Sequence, residues 1–128
     1  MNKNPFSLSA KTILITGAAS GIGRAIAVEC ANQGANLILL DLNEARLKET
    51  LEQLEGGMHS MFVVNLTNEE QVAQVIDQLP KIDGIASNAG IVKSLVAQFC
   101  EKKDVEDIFQ INTFSHIHLI QQLLQNKK

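Results

Sequence analysis

Residues 12–23 combine an apolar strand-like run, a turn with three spaced glycines and the beginning of a helix. This succession of strand, glycine turn and helix is the context in which a glycine trio binds nucleotide phosphates. Gly17 permits a sharp turn of the backbone, Gly21 leaves room for a pyrophosphate against bare backbone, and Gly23 allows the helix to pack closely. The first N–H groups of a helix are unpaired and partly positive, so we expect the phosphates to lie there. A glycine-rich turn that binds nothing is the alternative.

The composition narrows the class of protein and its partners. The 128 residues are 45% hydrophobic and 20% charged, which is ordinary for one globular domain. The net charge of −3 is spread without blocks, which argues against nucleic acid or an anionic membrane as partner. No apolar run is long enough to span a bilayer. The first residues lack an apolar signal core, so we expect a cytoplasmic protein.

The cysteines and histidines lack the spacing of a metal or redox site. Cys30 and Cys100 are expected to be reduced thiols. His116 and His118 stand two positions apart, so on a helix they point in different directions and cannot share a ligand. His59 precedes a predicted strand. We therefore predict no metal site.

Short apolar runs alternate with segments of helical periodicity, which is typical of parallel strands joined by crossover helices. Strands are predicted at about 12–16, 37–40, 61–64 and 82–87, with a helix after each. Right-handed crossovers then give a doubly wound, Rossmann-type α/β sheet of four strands in the order 3-2-1-4. Residues 1–10 are predicted to be an N-terminal tail, and residues 11–128 the dinucleotide-binding domain.

Several helix ends carry their own signals. Gly34 is a natural left-handed stop for the first helix, and Asn43 can cap the second. Thr67 and Glu70 predict a capping box on the third helix, in which the hydroxyl binds the N3 amide and the carboxylate binds the cap amide. Pro80 forbids continuation of that helix.

Two motifs of this chain resemble those of the short-chain dehydrogenase/reductase family, compact type. They are Thr16-Gly17-x-x-x-Gly21-x-Gly23 and, after the fourth strand, Ser87-Asn88-Ala89-Gly90, where the family has Asn-Asn-Ala-Gly. Within the family the resemblance extends to bacterial 3-oxoacyl carrier-protein reductases. It implies a bound NAD, with NADP second, contacted by Gly17, Ser20, Gly21, Ile22, Gly23, Asp41, Leu42, Asn65, Leu66, Asn88, Ala89 and Gly90.

Asp41 ends the second strand, and its position favours NAD over NADP. A carboxylate there can accept hydrogen bonds from the adenosine ribose hydroxyls and would repel a 2′-phosphate. NADP-preferring relatives usually have a basic residue where this chain has Ser20 or Leu42. Arg24 lies nearby and could soften the preference. The alternative role of Asp41 is to cap the next helix.

Asn65 follows the third strand, where the family commonly has an aspartate that touches the adenine amino group. An asparagine can accept the same bond through its carbonyl oxygen. Leu66 would then lie against the adenine face. A turn asparagine without a ligand is the alternative.

The motif after the fourth strand brings small residues close to the ribose and nicotinamide. Asn88 can pin the central sheet through side-chain hydrogen bonds to neighbouring backbone. In the last helix, we expect Asn112 to point inward on a face otherwise formed by Val105, Ile108, Phe109, His116, Leu119, Ile120 and Leu123. The resemblance gives Asn112 a catalytic role, holding a water of the proton relay and bending its helix, and a satisfied core amide is the alternative.

The last helix carries a second apolar face, formed by Ile111, Phe114 and Ile117. A helix that is apolar on two sides is buried on two sides. Relatives use this helix in a subunit interface, so the resemblance implies a homo-oligomer formed through it.

The chain contains no tyrosine. In the resembling family, a tyrosine exchanges a proton with the substrate oxygen, a nearby lysine lowers the pKa of its phenol, and a serine orients the carbonyl. The resemblance therefore implies an oxidoreductase acting on a carbonyl/secondary alcohol pair, such as a 3-oxoacyl thioester, seen without its catalytic half.

This chain alone is expected to be inactive and to be the N-terminal portion of a longer reductase. Its fourth strand would be an open edge and its last helix partly uncovered. A non-catalytic dinucleotide-binding module and a dimerisation fragment that binds no nucleotide are the two alternatives.

Overall fold

The computed structural model describes residues 4–128 and has a four-stranded parallel sheet at its centre. The strand order is β3-β2-β1-β4, as predicted. The strands are β1 (Thr12–Thr16), β2 (Asn36–Asp41), β3 (His59–Val63) and β4 (Gly84–Ala86). Parallel pairing with β1 in the middle brings the carboxyl ends of all the strands to one edge of the sheet.

Helices connect the strands and complete the chain. They are α1 (Gly21–Asn32), α2 (Glu44–Glu52), α3 (Glu69–Gln78), α4 (Lys102–Phe109) and α5 (Ser115–Gln125). A short 3₁₀ turn, Ala97–Phe99, precedes α4, and a π-helical segment, Gln110–Phe114, joins α4 to α5. The predicted last helix is therefore two α-helices joined by a wider turn.

The sheet separates two apolar layers. Successive residues of a strand face opposite sides, so Leu14 packs into one layer and Ile15 into the other. The Leu14 layer contains α3 and α5 residues: Val72, Val75, Ile76, Leu119 and Leu123. The Ile15 layer contains Ala27 and Ala31 of α1 and Leu47 of α2. Because both faces are covered, the central strands are apolar at nearly every position.

Three of the four helix-end predictions are confirmed. Helix α3 ends at Gln78, before Pro80. Gly34 has a φ of +90°, as a left-handed stop requires, and the Asn43 side chain accepts a hydrogen bond from Arg46 N. The Thr67 capping box is wrong. Helix α3 begins one residue later than that box requires, so Asn68 is the cap and its side chain accepts from Gln71 N. The Thr67 hydroxyl instead donates to the side chain of Asn65 at 2.7 Å.

Strand β4 is shorter than the predicted range 82–87. Ile82 N donates to the carbonyl of Lys128 at 2.7 Å, so the backbone at Ile82 is tied to the residues after α5, whereas Asp83 N donates to β1, at Thr12 O. Between β4 and α5 lies a groove of about 420 Å³, lined largely by Ile82, Ile85, Ile120, Leu123 and Leu124. Within residues 4–128, β4 pairs with β1 alone and forms an edge of the sheet.

The predicted inward face of the last helix is only partly buried. Leu119 and Leu123 are buried, but Val105, Phe109 and Asn112 are exposed. For Asn112 and the residues after it, the physical reason is the π-helical segment, whose wider turns shift the register of the helix. Val105 and Phe109 lie before that segment, on α4. Ser115 takes the buried position next to Leu119 instead. The expectation that Asn112 points into the core was therefore wrong.

Candidate cofactor site

A cavity of about 450 Å³ opens at the carboxyl ends of the strands. It is the place where doubly wound sheets bind ligands, outside the strand ends where the connections diverge. Eleven of the predicted site residues line it: Gly17, Ser20, Gly21, Ile22, Asp41, Leu42, Asn65, Leu66, Asn88, Ala89 and Gly90. The chain thus brings together residues as far apart as Gly17 and Gly90, which are separated in sequence by three strands and the helices between them. Gly23 and Asn112 are predicted site residues outside the cavity lining.

The three glycines of the turn have different physical roles. Gly17 and Gly21 have φ values of +68° and +54°, the left-handed region that favours glycine. A Cβ added at Gly21 would meet nothing within 4 Å, so this position opens into the cavity. A Cβ added at Gly23 would lie 2.0 Å from the carbonyl oxygen of Gly17. Gly23 therefore serves the site by letting α1 begin directly against the turn.

The start of α1 is left open toward the cavity. Ser20 occupies the cap position in an extended conformation, and its side chain makes no capping hydrogen bond. The side chains of Asn43 and Asn68, in contrast, cap α2 and α3. The first N–H groups of α1 therefore remain for a ligand, and the helix dipole favours an anion there.

Side chains of α1 and α2 fix the backbone of the turn. Thr50 Oγ1 donates to the carbonyl of Ala18 at 2.9 Å, and the Arg24 guanidinium donates to the carbonyl of Ala19 at 2.7 Å. Arg24 also bonds the Thr50 hydroxyl and forms an ion pair with Glu49 at 3.0 Å. The turn is consequently held in shape before any ligand arrives.

Asp41 joins the turn to the start of α2. Its Oδ2 accepts from Ala19 N and its Oδ1 from Asn43 N, both at 3.0 Å. Asp41 therefore bonds the residue that caps the next helix, which is close to the alternative role considered for it. It also lines the cavity. Each carboxylate oxygen has a second lone pair for a ligand hydroxyl. Leu42 and Ile22 are 67% and 72% exposed at the mouth of the cavity.

Asn65 uses its carbonyl oxygen inside its own loop. Oδ1 accepts from the backbone N–H of Thr67 at 3.0 Å and from the Thr67 hydroxyl at 2.7 Å. The oxygen expected to meet an adenine amino group is thus already doubly bonded. The hydrogen-bonding group of the Asn65 side chain that remains for a ligand is its NH₂ donor. Leu66 lies beside it in the cavity wall.

Thr16 and His116 position the turn that follows β4. The buried Thr16 hydroxyl accepts from Asn88 N at 2.9 Å and Ala89 N at 3.0 Å. Asn88 Nδ2 donates to the carbonyl of Gly17 at 3.4 Å, so the predicted pinning of the sheet is present. His116 Nε2 bonds the carbonyl of Ala89 at 2.6 Å, and its Nδ1 bonds the Ser87 hydroxyl.

Asn112 pairs with the backbone of Ile91 in both directions. Asn112 Oδ1 accepts from Ile91 N and Asn112 Nδ2 donates to Ile91 O, each at 2.8 Å. Asn112 lies within the π-helical segment. A Cβ on Gly90 would stand 3.2 Å from Asn112 Oδ1, so the absent side chain admits this pairing.

Ion pairs tie the same loop to α4. Lys93 Nζ lies 2.9 Å from Asp104 Oδ1 and 2.8 Å from Asp107 Oδ2. The hydrogen bonds from Lys93 hold the pKa of Asp104 and of Asp107 below the usual range. Asp107 and Asp104 in turn raise the pKa of Lys93.

Sequence reasoning missed four supporting residues: Thr16, Arg24 as a brace, Thr50 and His116. Thr16 and Thr50 are polar and fully buried, and a buried hydroxyl must have a partner. Their sequence signal was a threonine at an apolar position. His116 gave no signal, because its partners lie in another loop and appear only when the helix is in place.

Three further findings concern the thiols, the metal-ligating residues and the helices of the described residues. Cys30 and Cys100 are free thiols, and no group of three His, Cys, Asp or Glu side chains in residues 4–128 could hold a metal ion. None of the helices among these residues is long and apolar enough to cross a membrane.

Known proteins match this chain in sequence and in structure. Residues 11–128 match the short chain dehydrogenase family. The 3-oxoacyl-[acyl-carrier-protein] reductase of Rickettsia bellii is 37% identical over 82% of this chain and 43% of its own length. The 17-beta-hydroxysteroid dehydrogenase 13 of Mus musculus is 30% identical over 92% of this chain and 41% of its own.

Solved structures give the same result. NAD⁺-bound xylitol dehydrogenase superposes with a TM-score of 0.87 at 27% identity, covering 93% of this chain and 48% of that one. A short chain dehydrogenase structure from Pseudomonas syringae gives 0.85 at 28% identity, covering 97% and 54%. The chain thus spans about half the length of the proteins it matches. Because the match includes every strand and helix described above, the chain belongs to the short chain dehydrogenase family.

Proposed function

We propose that residues 11–128 are a dinucleotide-binding unit whose ligand is NAD. The observation that carries the proposal is the cavity at the strand ends, in which the open Gly21 position and the uncapped start of α1 lie beside Asp41. The turn would hold the pyrophosphate through backbone N–H groups. Asp41 would accept hydrogen bonds from the adenosine ribose, and the NH₂ of Asn65 would donate to the adenine ring.

Two charged groups support NAD over NADP. Asp41 presents a carboxylate where a 2′-phosphate would lie, and like charges repel. Arg24 is the nearest cation on α1, but its guanidinium already bonds Ala19 O, Arg46 O, Thr50 and Glu49. Releasing it for a phosphate would break several of these bonds.

The proposed activity is that of a family oxidoreductase. When bound, NAD supplies the hydride acceptor or donor for a carbonyl/secondary alcohol pair. The similarity to 3-oxoacyl-[acyl-carrier-protein] reductases supports a 3-oxoacyl thioester as one substrate. Asn112 would keep a water of the proton relay beside the cavity, with Ile91 fixing the side chain. With no tyrosine in the chain, these residues alone would hold the cofactor without completing the transfer.

The same proposal includes a homo-oligomer formed through α4, the π-helical segment and α5. Phe109, Phe114 and Ile117 are 51%, 54% and 61% exposed on consecutive turns of this region. Apolar surface of this kind is typical of a subunit interface. Sedimentation of the chain at several concentrations would show a self-association that Ile117→Lys weakens.

Calorimetric titration of this chain with NADH and NADPH tests the proposed function. We expect NADH to bind in the micromolar range and NADPH at least tenfold more weakly, a difference of about 1.4 kcal/mol. Absence of binding by both below millimolar concentration would contradict the dinucleotide site. A non-catalytic cofactor-binding module is the alternative. It predicts the same binding without hydride transfer by the complete protein.

A further inference from the structure

We propose that Lys93, Asp104 and Asp107 form a cluster of ion pairs, the ionic clasp, which holds in place the loop that lines the cofactor cavity on the side of β4. The inference rests on the proposed function and names further positioning residues for it. Lys93 Nζ bonds one oxygen of each aspartate, at 2.9 and 2.8 Å. The clasp joins the loop after Gly90 to the first turns of α4, two segments that share no other ion pair.

The clasp acts on a defined part of the cavity. Gly90, Ile91 and Ile111 form its lining on the side of β4, which we call the β4-side wall. Asp41 and Asn65 follow β2 and β3, on the other side of β1. A dinucleotide with its adenosine near Asp41 would therefore place its other half against the β4-side wall.

The wall is fastened to the helix at two points. The backbone of Ile91 pairs with the side chain of Asn112, and Lys93, two residues later, pairs with α4. Val92 between them is 88% exposed and adds no packing. One fastening point leaves a loop free to pivot, whereas two fix the direction of its backbone. Lys93 does not line the cavity, so it acts on the cavity through Ile91.

The surroundings of Lys93 favour a stronger contact than an ordinary surface pair. Its side chain is 29% exposed and that of Asp104 is 22% exposed, and two carboxylates share one ammonium group. Lys103 offers a matched comparison. It pairs with the same Asp107 at 3.2 Å, but it is 77% exposed and lies on α4 itself, so it ties the loop to nothing.

The test compares NADH with ADP as ligands of this chain. ADP contains the adenosine and pyrophosphate but has nothing to place on the β4-side wall. We expect Lys93→Met to weaken NADH binding about fivefold while ADP stays within about twofold. Lys103→Met should leave both ligands within about twofold, and Lys93→Arg should retain NADH binding. Without ligand, the backbone amide hydrogen of Ile91 should exchange with solvent faster in Lys93→Met than in Lys103→Met.

Each outcome decides the proposal. Unchanged NADH binding by Lys93→Met, or an equal loss of NADH and ADP, would overturn the clasp while the proposed function stands. Failure of the unaltered chain to bind either ligand would overturn both. If Lys93→Met does not fold, Asp107→Asn makes the same comparison, because it removes one arm of the clasp and leaves the Asp104 cap of α4 intact.

Discussion

The Cα of Gly23 lies so close to the carbonyl of Gly17 that an added Cβ would stand 2.0 Å from the oxygen. Helix α1 therefore begins in direct contact with the turn that precedes it. This contact aims the first N–H groups of the helix at the cavity between β1, β2 and β4. The contact requires a glycine six positions after Gly17, so the spacing of the glycines matters to the site as well as their number.

Gly23→Ala should unfold or severely destabilise the protein. The atom in the way is backbone, which cannot move aside without displacing the turn, so we expect a loss of at least about 2 kcal/mol in the free energy of unfolding. Urea denaturation measures it. Gly84→Ala is the control, because its Cβ would meet only the flexible end of Ile13 at 3.2 Å. Equal effects of the two substitutions would contradict the role given to Gly23.

Gly21→Ala should separate ligand binding from stability. Gly21 and Gly56 both have positive φ, +54° and +66°, and at both a Cβ would meet nothing within 4 Å. Each alanine substitution should cost about 1 kcal/mol of stability from backbone strain. Only Gly21→Ala should also weaken NADH, because its methyl group enters the cavity where the pyrophosphate would lie. Calorimetry checks both variants, and a similar loss in Gly56→Ala would argue against the assignment.

The sequence predicted the sheet and most of the cavity because both depend on local signals. Parallel strands buried on two faces are apolar throughout, and left-handed positions such as Gly17 and Gly34 need glycine. The remaining features depend on tertiary contacts. His116 acquires its role only when α5 brings it to Ala89. The π-helical segment around Asn112 changes which helix positions are buried, and no periodicity in the sequence marks it. Choosing Thr67 over Asn68 as the cap was an error of one residue, the usual uncertainty of a helix end.

Asp41→Asn should reduce the preference for NADH over NADPH. The substitution removes the charge that would repel a 2′-phosphate. The ratio of the NADH affinity to the NADPH affinity should therefore fall about tenfold. The ratio is the right quantity, because the hydrogen bonds to Ala19 and Asn43 change equally for both ligands. Asp83→Asn is the control. Asp83 also accepts from a backbone N–H, that of Thr12, but it lies at the amino ends of the strands, away from the cavity. An unchanged ratio in Asp41→Asn would remove its assigned role.

The ionic clasp should make stability depend on pH at both extremes. Lys93 lowers the pKa of Asp104 and Asp107, so their contribution is complete above the unfolded pKa of about 3.9 and disappears as pH falls through the folded values. Asp107 and Asp104 raise the pKa of Lys93, so its contribution is complete below about 10.4 and disappears as pH rises through the folded value. Denaturation of the unaltered chain and Lys93→Met should therefore differ most near neutrality. A difference independent of pH would contradict the clasp.

The most direct test of the cofactor site is an NMR titration of this chain with NADH, in which the chemical shifts of the backbone amides are followed. We expect the largest chemical-shift changes at residues 17–23, at Asp41 and at residues 88–90, while the signals of the groove between β4 and α5 stay unchanged. Shifts confined to that groove, or none at millimolar NADH, would contradict the assignment of the cavity at the strand ends to a dinucleotide.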